Sequence, residues 1–421
     1  MRTQTLVFLA LRSRMGAIFG LVGSGVGRNV RPLGPAGLRS GCRAGSRSRY
    51  DPCRNRGGRS PHLCPKRPGQ SAGVRYSQTP RMQESNADHQ PLGLHMKAAL
   101  VTGASGFLGS SLVAALCGRG VKVRALVRPT SDLRRLSGLG VEIVRGDVCD
   151  LASLREAARG QQVVFHAAAK VPDWGSRREF FRANADGTRN VVTACQDAGV
   201  ERLVHVSSMT VLGLPRQGVA VDEQSPYDSS PHDAYTTSKI EAEKIVREAN
   251  GQRGLQTVAV RPGAIWGAGD PSITPRIAAV LRRGRAVYIG RAANRLALSH
   301  VDNVTLGLRL AAETPAAAGQ VYHLTDGETV TAREAIDGLA ALLDTARPRW
   351  SVPFFVMYSA AAAMEGVARF LRRRSPPPFT RYGVRLMASD CRYDNRKAER
   401  DLGYRPSVSF QQGLAALGAD L

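Results

Sequence analysis

The sequence predicts an α/β protein with a Rossmann-type, doubly wound parallel sheet and a smaller C-terminal substrate-binding region. Three observations support this prediction: a buried strand that runs into a glycine-rich turn, a regular alternation of strands and helices after it, and shorter, less regular elements beyond Arg261. Strands that alternate with helices imply crossover connections, and these connections make the strands parallel.

Residues 97–102 are apolar almost throughout, which is typical of a buried parallel strand. Three glycines and an apolar-periodic helix follow at once. Such glycines allow a tight turn, close approach of the backbone to a pyrophosphate, and close packing of helix on strand. The free N–H groups of the helix N-terminus favour phosphate binding. The turn therefore predicts a dinucleotide site formed by Gly103, Ser105, Gly106, Phe107, Leu108 and Gly109.

The remaining elements are predicted from short apolar runs and from apolar residues at helical spacing. The predicted strands cover residues 121–127, 141–144, 163–166, 203–207 and 257–260, and the predicted helices cover 151–158, 180–198 and 234–250. No internal repeat is evident. The expected organisation is a disordered basic leader over 1–95, a dinucleotide-binding domain over 96–262 and a substrate-binding region over 263–421.

Ligands of such sheets bind outside the carboxyl ends of the strands. Asp147 and Val148 follow the third strand. The Asp147 carboxylate would accept a hydrogen bond from an adenine amino group or, equally, cap the next helix. Ala167 and Ala168 follow the fourth strand, where small side chains let the backbone approach a cofactor. His166, just before them, is expected to be a packed, hydrogen-bonded histidine.

The end of the second strand bears on the choice of dinucleotide. An NAD-selective site usually has an acid here for the ribose 2′-hydroxyl. This chain has Val127 there and Arg128 beside it. An arginine suits a 2′-phosphate, although a solvated surface arginine would look the same. The sequence favours NADP, with NAD as the alternative.

Tyr235 and Lys239 lie four residues apart, on one face of a predicted helix. The pKa of a free tyrosine is ~10, and a lysine one turn away, together with a cationic nicotinamide ring, would lower it. Ser208 follows the fifth strand and could hydrogen-bond a substrate carbonyl while Tyr235 supplies the proton. Pro262, after the sixth strand, falls on the same edge of the sheet. On its own, a tyrosine and a lysine at this spacing more often pack on a helix surface than act in catalysis. The glycine turn upstream favours the catalytic interpretation.

The formal net charge of +25 is concentrated in residues 1–81, which hold many arginines and a single acid, Asp51. The segment is rich in Gly, Pro and Ser, so we expect it to be disordered. It is either an organelle transit peptide or an extension upstream of a true start at Met82 or Met96. A nucleic-acid-binding arm is disfavoured because aromatic residues are nearly absent. A cytoplasmic location is expected, or a mitochondrial one if the leader is genuine.

The seven cysteines form no CxxC pair and no histidine is placed like a zinc ligand, so no metal site is predicted. No apolar run reaches the ~20 residues that span a bilayer. An apolar helix is expected over 352–371, with arginines at 372–374. It would either make a peripheral membrane contact through 352–374 with snorkelling arginines, or pack over the substrate pocket.

Taken together, these motifs resemble the extended short-chain dehydrogenase/reductases. They are Thr102-Gly-x-x-Gly-Phe-Leu-Gly109, Asn184-Ala-Asp-Gly-Thr-x-Asn190, Ser208, Tyr235-x-x-x-Lys239 and Arg261-Pro-Gly-Ala-Ile-Trp-Gly267. The C-terminal third is similar to the 3β-hydroxysteroid dehydrogenase/isomerase family through Arg349-Trp-Ser-Val-Pro353, Pro377-Pro-Phe-Thr-Arg381 and Lys397-Ala-Glu-Arg-Asp-Leu-Gly-Tyr404. The resemblance covers residues 96–421 and leaves out the leader.

The resemblance implies hydride transfer between NAD(P) and a secondary alcohol or ketone of a steroid, sterol or long-chain lipid. It makes Tyr235 the general acid/base, Lys239 a ligand of the nicotinamide ribose and Ser208 the group that polarises the carbonyl. Asn184 matches the position of a water anchor in a proton relay. The resemblance assigns no residue to ketosteroid isomerisation. It is compatible with a homodimer. Independently, Trp174 and Trp266 are expected to line the substrate pocket.

Two rival functions share the predicted fold. A nucleotide-sugar epimerase or dehydratase would hold NAD tightly, which the Val127-Arg128 pair and the apolar C-terminal segment disfavour. A dinucleotide-binding regulator without turnover would usually lack the tyrosine or the lysine, and both are present.

Overall fold

Seven parallel strands form the central sheet of the computed structural model, which describes residues 96–171, 174–213, 221–231, 233–373 and 375–418. They are β1 (Ala98–Thr102), β2 (Lys122–Val127), β3 (Glu142–Arg145), β4 (Val163–His166), β5 (Arg202–Val206), β6 (Gln256–Pro262) and β11 (Val321–Leu324). Their order in the sheet is β11-β6-β5-β4-β1-β2-β3. The chain reverses its direction of winding between β1 and β4, which are neighbours, and a ligand crevice forms at such a point. The predicted leader lies outside the described residues.

Helices cover both faces of this sheet, so the prediction of a doubly wound α/β fold is confirmed. One face is covered by α1 (Phe107–Gly118) and α7 (Val301–Glu313), and the other by α2 (Leu151–Ala158), α4 (Gly187–Ala198) and α5 (Ala234–Glu248). Alternate residues of β1 pack against the helices on opposite faces of the sheet. Val101 packs with α1 and α7, whereas Leu100 packs with the other three helices. All four residues of β4 are buried, as expected for a central parallel strand.

The predicted helix over 180–198 begins earlier and contains an irregular turn. It starts with a short helix α3 (Arg177–Phe180). Ser176 and Glu179 form a capping box at the N-terminus of this helix. A π-helical segment, Phe181–Asp186, then precedes α4. Such turns are frequent at functional sites, and this one contains Asn184.

Beyond residue 262 the strands become short, as predicted, whereas the helices do not, since Phe354–Phe370 has 17 residues. The remaining strands pair two by two: β7 (Ala264–Trp266) with β10 (Leu298–His300), β9 (Arg295–Leu296) with β12 (Val330–Thr331), and β8 (Tyr288–Ile289) with β13 (Ser351–Val352). The other helices are α6 (Ile273–Arg282), α8 (Ala332–Leu342), α9 (Phe354–Phe370), α10 (Arg381–Ala388), α11 (Arg396–Leu402) and α12 (Phe410–Leu417).

The predicted boundary at residue 262 does not separate the two regions in the sheet. Strand β11 pairs with β6, and helix α7 packs on the core beside α1, although both come from the C-terminal region. The dinucleotide-binding fold therefore extends past 96–262, because its edge strand is supplied by a distant part of the chain. The assignment of 263–421 to substrate binding stays a prediction.

The predicted apolar helix is α9. None of the helices in the described ranges is long and apolar enough to cross a bilayer. The same part of the chain contains no cluster of three or more His, Cys, Asp or Glu side chains placed to hold a metal ion.

Candidate active site

Tyr235, Lys239 and Glu243 follow one another at intervals of four residues along one face of α5. The Asp233 carboxylate begins the helix by accepting a hydrogen bond from the N–H of Thr236 at 2.7 Å. This cap fixes the first turn, on which Tyr235 lies. The face points toward the carboxyl ends of β5 and β6, where the lysine and the glutamate find their partners.

The ring of Tyr235 lies between two other aromatic rings. It makes edge-to-face contacts with Phe180, at 6.3 Å between centroids, and with Tyr382, at 6.2 Å. Burial raises the pKa of Tyr235 to about 12, although a hydrogen bond from Ser208 opposes the shift. The phenol is therefore protonated at neutral pH, which is the form that can donate a proton to a ketone.

Lys239 is 2% exposed and donates a hydrogen bond from Nζ to the carbonyl oxygen of Val206 at 2.6 Å. Burial lowers the pKa of Lys239 to about 8, and the Glu243 carboxylate opposes the shift. The sequence predicted that this lysine lowers the pKa of Tyr235. In the structure described, burial raises the pKa of the phenol and Ser208 is the group that opposes the shift, so the lowering expected from the lysine together with a cationic nicotinamide ring stays a prediction.

The two serines that follow β5 have different partners. Ser208 Oγ accepts hydrogen bonds from the Thr210 backbone N–H at 3.3 Å and from its hydroxyl at 3.1 Å, and it also bonds to Tyr235. Ser207 is buried and donates its hydroxyl to Glu243. Of the two serines, only Ser208 therefore lies beside the phenol. A substrate oxygen that binds there would contact both hydroxyl groups.

Asn184 is buried, and its side-chain amide binds protein atoms. Oδ1 accepts from the Lys170 N–H at 2.7 Å, and Nδ2 donates to the Lys170 carbonyl at 3.1 Å and to Ser238 Oγ at 2.9 Å. Both amide hydrogens are thus occupied by the protein. Asn184 clamps the loop after β4 to the catalytic helix, and its expected role as a water anchor stays a prediction.

The glycine turn fits a dinucleotide. Gly103 has a φ of +69°, and a Cβ there would lie 2.7 Å from the backbone nitrogen of Ala168. A Cβ on Gly109 would lie 2.1 Å from the Gly103 carbonyl oxygen. Helix α1 begins after Gly106 with no side-chain cap and no acid in its first turn. The backbone N–H groups of its N-terminus are therefore available to bind an anion. The turn residues Ser105, Phe107 and Leu108 and the backbone of Ala167 lie at this same edge.

The other predicted cofactor ligands lie along the carboxyl edge of the sheet. Arg128 is exposed just after β2, and the Arg145 guanidinium donates to its carbonyl oxygen at 3.1 Å. Asp147 bonds the Cys149 N–H at 2.9 Å, so its carboxylate is partly used within its own turn. The carbonyl of Val148 accepts from the Asn190 side chain on α4, and Pro262 is buried at the end of β6.

A buried ion pair below the catalytic residues was missed by the sequence reasoning. Glu243 and Arg261 are 0% and 1% exposed and lie 2.6 Å apart. Ser207 and the Tyr227 hydroxyl also donate to this carboxylate. Burial opposes ionisation of Glu243, but the bonds from Arg261 hold its pKa below the usual value. The signal was available, since Glu243 continues the four-residue spacing of Tyr235 and Lys239.

The two predicted pocket tryptophans have separate surroundings. Trp174 donates from Nε1 to the Arg373 carbonyl at 2.8 Å, which ties the loop after β4 to the end of α9. Trp266 is 6% exposed, packs against Phe410 and donates to Asp326 at 2.8 Å. The expectation that Trp266 lines a pocket is wrong because its ring belongs to a core cluster. The role of Trp174 stays a prediction.

Comparisons with known proteins agree with this geometry. The model of the "3-beta hydroxysteroid dehydrogenase/isomerase family" matches residues 100–349. The chain is 38% identical over 317 residues to a 4-hydroxy-2-methyl-3-oxo-4-farnesyl-3,4-dihydroquinoline-1-oxide ketoreductase of Stigmatella aurantiaca, which covers 75% of this chain and 94% of the relative. It is 37% identical over 327 residues to a 2-alkyl-3-oxoalkanoate reductase of Stenotrophomonas maltophilia (strain K279a), with coverage of 76% and 98%.

Among solved structures, the fold is similar to that of MoeE5 in complex with UDP-glucuronic acid and NAD. The TM-score is 0.60 and the identity is 26%, with 76% of this chain and 98% of the other covered. The fold is thus shared with a protein whose structure was solved in complex with NAD.

Proposed function

Because this chain belongs to the 3-beta hydroxysteroid dehydrogenase/isomerase family, we propose that it is an NADP-dependent oxidoreductase of bulky apolar ketones and secondary alcohols. The substrate class is a steroid, a sterol or a long-chain 3-oxo lipid. One observation carries the proposal: a protonated phenol, Tyr235, lies beside Ser208 and a buried lysine on a dinucleotide-binding fold.

Each residue has a chemical task in this reaction. The glycine turn and the end of α1 would hold the pyrophosphate, and Lys239 the ribose next to the nicotinamide. When bound, the dinucleotide supplies or accepts the hydride. Ser208 donates a hydrogen bond to the substrate oxygen, and Tyr235 gives its proton to that oxygen during reduction or takes it during oxidation. Ser208 and Tyr235 already hydrogen-bond each other, so both can reach a single oxygen atom.

The walls around the phenol support an apolar substrate. Phe180 and Tyr382 flank Tyr235 with their rings. The two similar relatives are named for 3-oxo substrates that carry farnesyl or alkyl groups. Both names describe ketone reduction, which is the direction that a protonated phenol serves.

A substrate panel tests the proposal. Purified protein is incubated with 3-hydroxysteroids, 2-alkyl-3-oxo acids and UDP-sugars, each with NADH or NAD and with NADPH or NADP. Turnover of a 3-oxo lipid or a 3-hydroxysteroid is expected. Turnover of UDP-sugars alone, or purification with stoichiometric NAD, would favour the nucleotide-sugar epimerase or dehydratase. Dinucleotide binding with no turnover of any substrate would favour a regulator.

The preference for NADP rests on the ends of β2 and β3. Val127 stands where an acid would bind the ribose 2′-hydroxyl; the exposed Arg128 follows it, and the Arg145 guanidinium donates to the Arg128 carbonyl oxygen. Ser131 binds the Arg128 N–H at 3.1 Å and so shapes the same turn. A 2′-phosphate would find two positive charges here and no carboxylate at position 127.

Replacing Arg128 with alanine is expected to raise the KM for NADPH by about tenfold or more, since a charge-assisted hydrogen bond contributes roughly 1.5–3 kcal/mol. The KM for NADH should stay within about twofold because NADH has no 2′-phosphate. Arg134→Ala is the control, as that arginine is exposed and paired with Asp132. An equal loss for both dinucleotides in Arg128→Ala would contradict NADP selectivity.

A membrane surface is the proposed partner of α9. This helix buries Met357, Ala361, Glu365 and Ala368 and turns a second, apolar side to solvent. Phe355 is 69% exposed, Val367 52% and Phe370 87%. Apolar side chains along one side of a helix with arginines at its end suit an anionic bilayer surface. Trp174 and Arg373 connect this helix to the loop after β4.

Co-sedimentation with phosphatidylcholine vesicles that contain phosphatidylserine tests this contact. The double change Phe355→Ser and Phe370→Ser should lower the bound fraction by about tenfold or more, because two exposed aromatic groups leave the interface. Ile143→Ser removes an exposed apolar residue on β3 and should leave binding unchanged. Equal binding of the wild type and the double variant would rule out α9 as the contact.

A further inference from the structure

A line of hydrogen bonds leads from the dinucleotide turn to the middle of the sheet. Thr102 and His166 end two neighbouring strands and are paired in register. Thr102 Oγ1 lies 2.8 Å from His166 Nδ1 and accepts a hydrogen bond from the Ala168 N–H at 3.3 Å. His166 thus contacts the residue that precedes the glycine turn, and through it the backbone that packs against Gly103.

The line continues on the other side of the imidazole ring. His166 Nε2 lies 2.9 Å from the Thr188 hydroxyl, which in turn donates to the carbonyl oxygen of Asn184. The Asn184 amide donates to Ser238 Oγ at 2.9 Å, and Ser238 donates to the carbonyl oxygen of Tyr235 at 2.7 Å. The line therefore ends on the backbone of the catalytic residue.

The hydrogen count fixes the direction of every bond. Each threonine hydroxyl has one hydrogen, and Thr188 gives its own to Asn184, so it can only accept from His166. His166 Nε2 therefore carries a hydrogen. Burial, and secondarily the Lys239 ammonium, lower the pKa of His166 to about 3, so the ring is neutral and Nδ1 accepts from Thr102. The donors point toward the catalytic helix from Thr102 to the Asn184 carbonyl and again from the Asn184 amide to the Tyr235 carbonyl, and within each of these two segments the hydrogen bonds strengthen one another.

We propose that His166, as the neutral Nε2–H form, is a positioning residue that couples the dinucleotide turn to the catalytic helix. Its Nδ1 side holds Thr102 and with it the backbone on which Gly103 packs. Its Nε2 side holds Thr188 and, through Asn184 and Ser238, the first turn of α5. Occupation of the turn is thereby linked to the position of Tyr235. The proposal rests on the oxidoreductase function stated above.

Two substitutions separate the two sides of the ring. In His166→Asn, the side-chain oxygen takes the place of Nδ1 and still accepts from Thr102, but the bond to Thr188 is lost. The dissociation constant for NADPH should stay within about twofold, while kcat falls by about tenfold or more because the phenol is misplaced. In His166→Gln, the amide nitrogen takes the place of Nε2 and still donates to Thr188, but Thr102 loses its acceptor. The dissociation constant should rise about tenfold, and kcat at saturating NADPH should change by less than about threefold.

His205 provides the matched control. It is the register neighbour of His166 in β5, its ring centroid lies 5.2 Å away, and it is equally buried. Neither of its ring nitrogens has a hydrogen-bond partner in the described part of the chain. His205→Asn and His205→Gln should therefore change neither the dissociation constant nor kcat by more than about twofold.

Hydrogen exchange tests the coupling without any turnover. NADPH is expected to slow amide exchange over residues 234–239 in the wild type and in both His205 variants, but not in His166→Asn. Loss of kcat and affinity in the same proportion in both His166 variants, or NADPH-induced protection in His166→Asn equal to that of the wild type, would overturn the proposal. If the wild type turns over no ketone, the oxidoreductase function fails, whereas the exchange experiment still decides whether His166 couples the two elements.

Discussion

Replacing Tyr235 with phenylalanine is expected to lower kcat for ketone reduction by about 10²- to 10⁴-fold, the usual contribution of a general acid. The ring contacts with Phe180 and Tyr382 need no hydroxyl, so the pocket should keep its shape. The dissociation constant for NADPH should therefore stay within about twofold. Steady-state kinetics and fluorescence titration measure the two quantities on the same sample.

Tyr382→Phe is the matched control, because this ring also lies beside the site, at 6.2 Å from Tyr235. It should keep kcat within about threefold, since removal of a phenol outside the proton transfer has no chemical effect. If Tyr382→Phe lost as much activity as Tyr235→Phe, the proton donor would have to be reassigned. If neither change mattered, the phenol would have no acid/base role.

The pH dependence of the same reaction separates the phenol from the lysine. Burial lowers the pKa of Lys239 to about 8 and raises that of Tyr235 to about 12. Reduction should first weaken near pH 8 as Lys239 loses its charge, and ionisation of Tyr235 should contribute only near pH 12. Lys239→Arg keeps the charge at alkaline pH and should remove the first decline. A decline near pH 8 that persists in this variant would have another source.

Local patterns were sufficient to predict the elements that bind the cofactor. Strand Val163–His166 was predicted from its short apolar run and helix Leu151–Ala158 from its apolar spacing, but the carboxylate that caps this helix is that of Asp150 and not, as the sequence allowed, that of Asp147. The edge strand Val321–Leu324 was not predicted. It pairs with a strand some 60 residues earlier, and no local signal marks such a pairing.

The sequence predicted those site residues whose role depends on spacing along one helix. It did not predict those whose role depends on burial in the folded protein. The four-residue spacing identified Tyr235 and Lys239, but the direction of the Tyr235 pKa follows from rings that come from two other helices. Trp266 was misplaced because its main partner, Phe410, is far along the chain. Glu243 looked like one more helix glutamate, and only the fold shows that it is buried on Arg261.

Breaking this buried ion pair is expected to have the largest effect on stability. Glu243→Gln leaves Arg261 charged and without its carboxylate in a site that is 1% exposed, which costs about 3–5 kcal/mol of unfolding free energy. A loss of this size corresponds to a fall in Tm on the order of 10 °C. Thermal and urea unfolding of the two proteins measure the difference. Activity should fall as well, because glutamine leaves only one acceptor oxygen for Arg261, Tyr227 and Ser207, and Ser207 precedes Ser208.

Glu241→Gln is the control: it lies on the same helix, and its ion pair with Arg189 is 3.8 Å long and exposed, so about 0–1 kcal/mol is expected. Since the folded pKa of Glu243 is lowered, the pair contributes fully above the unfolded value of ~4.3 and loses its contribution as the pH falls through the folded value. The stability gap between wild type and Glu243→Gln should therefore be constant at neutral pH and narrow in acid. A gap that widens in acid, or one no larger than that of Glu241→Gln, would show that Glu243 is not ionised in the folded protein.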